Sequence, residues 1–391
     1  MNNLKESKVL IIGGGVVGAS TAIFLDYFGV NNISISTELE DKKSYQSLFQ
    51  VDTITNFLGL GGLGNFWHGV INTNSIPRND FSYKNILTVF ELVMGFSPKP
   101  EDLNKEIIPL TTLRPKKLLD KLSNNTKILP KSISLKESNS QVKVNFSNGT
   151  FEYFDKVFVC SGSINNNDVL VNSGLAKTNN RVSDQVIFYE NKVLRVSDKI
   201  SDKLKTKKRL GYIAREYDLI DHIKVTYRPV YGRNKSHIKN KSIYSNSPLR
   251  VVLSLMNPVN FVHIFESLYL RYGIQFPTKR CRRFFQVDIK DCYYWDDGNL
   301  KVDHFKIQKL LKKLHKSNIT INESDIVSGI HYYNTLIDVS SIVGQYNSNE
   351  NKKIYHISSS SLSEVGPEHF TFRLIYNSFL LIKNLYKKEV A

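Results

Sequence analysis

Cysteine is scarce in this sequence. Cys160, Cys281 and Cys292 are the whole complement, and their spacing matches neither a metal site nor a disulfide framework. They fit a reducing compartment, so a cytoplasmic location is expected. No metal is expected either, because His, Cys and carboxylate residues nowhere cluster at ligand spacing. Long apolar runs are missing too. No stretch of about 18 uncharged apolar residues occurs, so no membrane-spanning helix is expected. No basic segment and apolar core precede the first strand, so no signal peptide is expected. Low-complexity tracts are absent, and a hydrophobic fraction of 41% over 391 residues is enough for a large core in two interleaved domains. Acidic residues fall short of basic ones, 36 against 53, which leaves a net charge of +17. The bland consequence is a solvated basic surface. The sharper ones are an anionic substrate or carrier, or an anionic membrane surface. Nucleic acid is not expected as a partner, since no reader motif or aromatic–basic module is present.

What is present is concentrated at the start. Val9–Ile12 is an apolar run of the kind that forms a buried parallel strand. Gly13, Gly15 and Gly18 follow with G-x-G-x-x-G spacing, and an apolar helix is expected from Val16 to Phe28. Gly13 permits the tight turn, Gly15 lets the backbone approach a pyrophosphate, and Gly18 lets the helix pack closely on the strand. The free N–H groups at Val16 and Val17 open that helix and favour an anion. A second strand, Asn32–Thr37, ends at Glu38, about 20 residues past the last glycine, where a carboxylate accepts ribose hydroxyls. This context makes a dinucleotide site the stronger reading over a ligand-free glycine turn. It does not separate NAD from FAD.

Residues 39–58 read as a loop or short helix. The glycine-rich stretch Gly59–Gly69 lies too close to the first fingerprint for a second βαβ unit. It reads as a loop whose backbone runs against a flat ligand, through Gly61, Gly62, Asn65, Phe66 and Trp67. Trp67 serves equally well as a stacking residue or a core residue. Residues 72–110 read as loop and helix. Strands are expected at 127–135 and 141–147, and Asn148–Gly149 signals a hairpin to Thr150–Phe154. Lys156–Cys160 is another buried strand, ending at Ser161–Gly162, and a helix carrying Val169, Leu170 and Val171 follows. Residues 185–325 are less regular, more basic and rich in Tyr and Phe, and suggest an antiparallel sheet with helices. Within them, Pro258–Tyr272 reads as a core helix followed by a basic loop; peripheral membrane contact is the lesser reading. A strand is expected at Lys353–Ile357. A last helix is expected to open with Pro367 and Glu368 and to close at Lys387 and Lys388.

Taken together, these motifs resemble those of the glucose–methanol–choline (GMC) family of FAD-dependent alcohol oxidases and dehydrogenases, in its small bacterial and pyranose-oxidase-like branch. The Gly13–Gly18 turn with Glu38 resembles the family's ADP-binding unit, and Gly61–Trp67 its flavin-facing loop. Cys160–Ile164 with Ser173–Gly174 resembles its second signature, and Asp184 stands where the family places an Asp. His331 with Thr335 is similar to the His-x-x-Gly-Thr motif, and His369 stands at the second active-site position, just before Phe370. There are departures. Asn334 replaces the motif glycine, Ser358 stands where an Asp near the cofactor phosphates is usual, and Phe66 occupies the place of the His that some members join to flavin.

The resemblance implies an α/β fold: a Rossmann-like FAD-binding domain from residues 1–75, 110–184 and 326–391, with a smaller α+β substrate domain on an antiparallel sheet from 76–109 and 185–325. It implies non-covalent FAD, held by the glycines above with Glu38, Ser161, Gly162, Ser358 and Phe370. It also implies oxidation of an alcohol, a sugar or glycan-precursor hydroxyl, with His331 as principal base and His369 as partner. A neutral histidine suits the base because its ordinary pKa lies near working pH, and a second can stabilise developing alkoxide charge. No second nucleotide-binding unit is seen, which leaves oxygen, a quinone or an electron carrier as acceptor. Two other readings stay open: an amine or amino-acid oxidase of the D-amino-acid-oxidase type, which shares the opening motif, and a flavin-binding protein that has lost catalysis.

Overall fold

Successive residues of the first strand, Lys8–Ile12, face two different cores. Val9 and Ile11 join one core and Leu10 and Ile12 the other, which is why the run is apolar without alternation. In this computed structural model of the chain, the residues described are 6–40, 42–48, 51–58, 60–61, 69–111, 114–122, 126–138, 140–190, 192–231, 265, 268–270, 272–296, 299–316, 319, 321, 326–327, 332–345, 352–362 and 370–387.

The strand is central in a six-stranded sheet, and each pairing in it is parallel. The order across the sheet is Val343–Gly344, Ile354–His356, Lys156–Val159, Lys8–Ile12, Asn32–Ser36 and Lys127–Leu129. The chain first builds outward on one side of Lys8–Ile12 and later on the other. This creates a topological switch point between Lys8–Ile12 and Lys156–Val159, where open α/β sheets bind ligands at their carboxyl ends. The helix Val16–Tyr27 covers one face. It packs on the last helix, Thr371–Lys387, with the Phe24 and Phe379 rings edge to face at 5.3 Å. The Thr21 and Ser378 hydroxyls join the same two helices at 2.7 Å. On the opposite face lie the helix Gly162–Asn172 and a three-stranded meander, Ser132–Glu137, Val142–Phe146 and Phe151–Phe154. Gly149 turns that meander with φ 82°, as the Asn–Gly signal predicts.

The second large element is an eight-stranded sheet whose pairings are antiparallel, with Ala176–Tyr189, Ile223–Pro229 and Arg280–Asp296 at its middle. One of its faces packs on the helix His304–Lys316 through Val225, Phe285, Val287, Ile307 and Leu314. A smaller sheet stands between the two units, formed by Thr206–Lys208, Tyr212–Arg215 and Glu106–Pro109. Ile107, Tyr212 and Ala214 turn into the core of the first unit, while Glu106 and Arg215 turn away from it.

Several sequence expectations need correction. Within 39–58, expected as a loop or short helix, Lys42–Leu48 and Val51–Leu58 are antiparallel paired strands. The β-branched run Val51, Thr53, Ile54, Thr55 favours strand there. The stretch 127–135 is two strands, not one. Pro130 separates Lys127–Leu129, in the parallel sheet, from Ser132–Glu137, in the meander, because proline lacks the N–H a continuous strand needs. Among the described residues the last helix begins at Thr371, and Leu374 N donates to Phe370 O at 3.1 Å, so Phe370 occupies the cap; Pro367 and Glu368 lie outside the described residues. The tail also holds an unexpected strand, Tyr332–Val339, which pairs with Ala176–Tyr189. Ile326–Val327 and Tyr332–Val339 therefore belong to the antiparallel sheet, and the chain rejoins the parallel sheet at Val343. Conversely, Ile86, Val89 and Phe90 lie in the first unit's core, although the resemblance assigns 76–109 to the second domain. Most of the expected helix Pro258–Tyr272 lies outside the described residues. Among the described residues no helix is long and apolar enough to cross a membrane.

Phe379 is 3% exposed and touches both Phe24 and Phe28. Phe379→Ala is expected to cost about 3–5 kcal/mol through lost burial and the cavity left behind. Denaturant unfolding followed by circular dichroism measures it.

Candidate functional site

The glycines of the opening turn differ in what the surrounding protein asks of them. Gly13 has φ 104°, and a Cβ there would meet the Cα of Ser161 at 2.5 Å. The turn after the first strand is thus pressed against the turn after Lys156–Val159, and Cys160 N donates to Ile12 O at 2.8 Å beside it. A Cβ on Gly18 would lie 1.8 Å from Gly13 O and 3.3 Å from Ile11 Cγ2. Helix and strand approach closely through that missing atom. Gly15 is another matter. Its φ of −73° suits any residue, and a Cβ would find nothing nearer than Gly61 O at 3.8 Å. Among the described residues no atom requires glycine there.

That amino end is suited to an anion. Gly15 caps the helix without a side-chain hydrogen bond, and the first turn carries no acidic residue. The first intrahelical bond runs from Ala19 N to Gly15 O at 2.9 Å. The N–H groups of Val16, Val17 and Gly18 therefore have no partner within the helix, and they add to the positive end of its dipole.

Other predicted residues come to the same crevice. Gly61 is buried, and its N–H donates to Gly14 O at 3.0 Å, so Gly61 docks onto the first glycine turn. Ser161 and Gly162, the latter with φ 81°, open the helix Gly162–Asn172 at the switch point. Phe370 is buried against Leu362, Leu374 and Val17, which brings the start of the last helix to the first. Glu38 is half-buried, two residues beyond Ser36. Thr37 N donates to Leu129 O at 3.1 Å and the Ser36 hydroxyl to Pro130 O at 2.7 Å, fixing the strand end that carries it. Gly62, Asn65, Phe66, Trp67, His331 and His369 lie outside the described residues, as does His68.

Ser358 belongs to a cluster that sequence reasoning missed. It follows Ile354–His356 and caps the turn Ser359–Ser361, accepting from Ser360 N at 3.3 Å. His356 Nε2 lies 2.8 Å from the Ser358 hydroxyl and 3.0 Å from that of Ser360, and the two hydroxyls are 2.7 Å apart. All three side chains are buried. Burial pulls the His356 pKa down to about 4, so the ring is neutral at pH 7. The signal was the Ser358–Ser361 run at a strand end, with a histidine two residues before it. Cys160, also at the crevice, is no nucleophile: burial pushes its thiol up to about 12, against the pull of a 3.7 Å contact with Thr21. Among the described residues no group of His, Cys, Asp and Glu is placed to hold a metal.

No family model matches this chain, and no curated protein matches it. Among solved structures it is similar to formate oxidase of Aspergillus oryzae, at 12% identity and a TM-score of 0.47 over 98% of this chain and 99% of that one. It is similar over the same shares to pyridoxine 4-oxidase from Mesorbium loti, at 8% identity and a TM-score of 0.47. HpxO of Klebsiella pneumoniae, solved in complex with FAD, aligns at 10% identity and a TM-score of 0.38, over 96% of this chain and 78% of that one.

Two outcomes follow from this geometry. Without ligand, Gly18→Ala is expected to lose on the order of 3 kcal/mol, because helix and strand must part. Gly15→Ser is expected to keep or slightly raise stability, since serine is a good cap; thermal melts of the ligand-free variants compare them. The second concerns acid. The ordinary histidine pKa of 6.5 and the native value of about 4 for His356 mean that the unfolded chain binds the proton more tightly. Stability is then lost as pH falls from about 6.5 to about 4, by roughly 3 kcal/mol in all. His356→Gln is expected to flatten that part of a stability–pH curve.

Proposed function

We propose that this chain is an FAD-dependent oxidoreductase that oxidises an alcohol, a sugar or glycan-precursor hydroxyl. The observation that carries the reading is Gly15: a glycine that no contact among the described residues demands, at the uncapped amino end of a helix, at the switch point of a parallel sheet. That is the arrangement a pyrophosphate requires. The resemblance of the second glycine loop and of the tail to the GMC family selects FAD over NAD.

On this reading, Gly13, Gly15, Val16, Val17 and Gly18 would hold the pyrophosphate and Glu38 the ribose hydroxyls. Gly61, Gly62, Asn65, Phe66 and Trp67 would line the flavin, and Ser161, Gly162, Ser358 and Phe370 would border the same crevice. With Phe66 at the attachment position, the cofactor is held without a covalent link. FAD supplies the two-electron acceptor for the hydride that leaves the substrate carbon. The chain's own part is acid–base. His331 accepts the hydroxyl proton on a ring nitrogen, and His369 donates a hydrogen bond to the same oxygen and stabilises its growing negative charge. Support comes from their chain neighbours. Phe370, the next residue in sequence after His369, packs on Val17 of the first helix. His331 precedes Tyr332–Val339, the strand that packs against the turn Ser359–Ser361. The acceptor is oxygen, a quinone or an electron carrier, and the protein acts in the cytoplasm.

The purified protein is expected to be yellow, and anaerobic alcohols or sugars, not amines, are expected to bleach it. His331→Ala and His369→Ala should each keep the colour but slow bleaching by at least about 100-fold. A colourless protein without FAD affinity overturns the reading, and bleaching by amines alone moves it to the amino-acid-oxidase type.

A further inference from the structure

The helix His304–Lys316 carries Lys306, Lys309, Lys312, Lys313 and Lys316, and no aspartate or glutamate. Ile307, Leu310, Leu311 and Leu314 hold it to the core under the antiparallel sheet. At about 100° per residue those four positions make one side of the helix. Phe305, Lys309, Lys312 and Lys316 then fall on a single stripe on the opposite side. All four are exposed. With a rise of about 1.5 Å per residue the stripe is roughly 16 Å long, and it points away from the sheet.

The positive charge of this stripe is not answered nearby. Asp303, just before the helix, holds Arg181 at 2.8 Å and accepts from Lys306 N at 3.3 Å. Asp291 lies 3.4 Å from Lys306 Nζ. Both acids therefore serve the first turn. Lys309, Lys312 and Lys316 have no ion pair among the described residues. They stand three and four residues apart, a spacing at which like charges destabilise a helix. Phe305 is a second and independent observation. At 78% exposure it is the most exposed of the described aromatic residues. Packing on the sheet does not demand a ring on the outer side of the first turn, and a merely solvated face gains nothing from one.

An outward row of lysines with a ring at its end fits an anionic lipid surface better than a protein or a nucleic acid. Protein interfaces are poor in Lys and favour Arg, and the planar recognition of phosphates and bases is also the work of Arg. This helix has no Arg. Clusters of lysines on an amphipathic helix suit diffuse anionic head groups, each adding to the attraction without a fixed geometry. An exposed Phe beside them can enter the boundary between head groups and acyl chains.

We propose that the helix His304–Lys316 docks this protein on membranes bearing anionic lipids. Lys309, Lys312 and Lys316 meet the head groups, Lys306 and Lys313 flank them, and Phe305 enters the boundary. The contact is peripheral, since the apolar side of the helix stays on the protein's own core. It does not depend on the flavin reading: a colourless protein that docks in this way upholds it.

The test is cosedimentation of the full-length protein with vesicles of phosphatidylcholine alone, and with vesicles of phosphatidylcholine and phosphatidylglycerol in equal parts. Binding to the anionic vesicles and not to the neutral ones is expected, and it should weaken as salt is raised. A net charge of +17 would by itself draw the protein to any anionic surface, so position is tested against charge. A variant with Lys309→Gln, Lys312→Gln and Lys316→Gln should bind at least about tenfold more weakly. It should melt no lower than the wild type, because it removes repulsion within the helix. A variant with Lys84→Gln, Lys136→Gln and Lys208→Gln loses the same charge from exposed positions on three other elements. Its binding should fall by less than about twofold. Phe305→Ser, which leaves the charge unchanged, should also weaken binding, and Phe305→Trp should show blue-shifted emission on the anionic vesicles alone. Absence of binding to anionic vesicles overturns the proposal, and so do equal losses in the two triple variants. Unchanged binding in Phe305→Ser together with unshifted emission in Phe305→Trp overturns the part given to the ring. Loss of binding to DNA or polyglutamate in the helix variant, with vesicle binding intact, overturns the assignment to lipid.

Discussion

Two missing Cβ atoms set the geometry on which the rest of this fold depends. At Gly18 the helix lies so close to the preceding turn that a methyl group would stand 1.8 Å from a carbonyl oxygen, and at Gly13 the turn itself lies against Ser161. These contacts fix the angle at which Val16–Tyr27 leaves the sheet. They thereby fix where its uncapped N–H groups point, and where the last helix can dock on it through Phe24 and Phe379. A small displacement at Gly18 would move the helix away from the crevice edge formed by Gly61, Ser161 and Phe370. The constraint is steric and local, but through it Gly61, Ser161 and Phe370, distant in sequence, meet beside the start of one helix.

Local patterns carried much of this. The strand, turn and helix at the start, the strand ending at Ser36, the Asn148–Gly149 turn and the strand Lys156–Val159 all follow from short-range sequence, and the structure has them where the pattern places them. The elements that escaped notice are those whose identity depends on a partner far along the chain. Lys42–Leu48 lacks a marked apolar face and is a strand by virtue of Val51–Leu58 beside it. Tyr332–Val339 pairs with Ala176–Tyr189, so residues to which the sequence assigned no element join the second sheet. Pro130 was a legible break that the alternation around it concealed. In the candidate site, the N-terminal cradle was legible because its chemistry is contained in six residues. The neutral cluster of His356, Ser358 and Ser360 was not, since a histidine in a strand looks alike whether buried or exposed.

The net charge of +17 is equally uninformative until the fold distributes it. Much of it lies in exposed lysines, where ion pairs such as Lys205 with Asp202 or Lys301 with Asp296 contribute little. The cations that bear on folding number few and lie where desolvation is expensive. Burying Arg215 and Lys224 around one Glu106 costs more than an apolar contact would, so the group is poor evidence of stability. The cross-strand register that sets Arg228 opposite Arg282 follows from pairing and is absent from any linear reading of the chain.

The same reasoning explains why Ser358 is not a carboxylate. The His356 imidazole lies 2.8 Å from the Ser358 hydroxyl in a buried setting that holds the ring neutral. A carboxylate at 358 would be brought to that distance without solvent. It would either raise the histidine pKa and form a buried ion pair, or take up a proton itself, and both add a desolvation cost that the hydroxyl avoids. Serine and neutral histidine are therefore matched: each makes the other tolerable at the carboxyl end of a parallel strand. A hydroxyl can also donate to an anion, which an ionised carboxylate cannot. A serine at 358 therefore keeps the carboxyl end of the parallel strand Ile354–His356 free of negative charge.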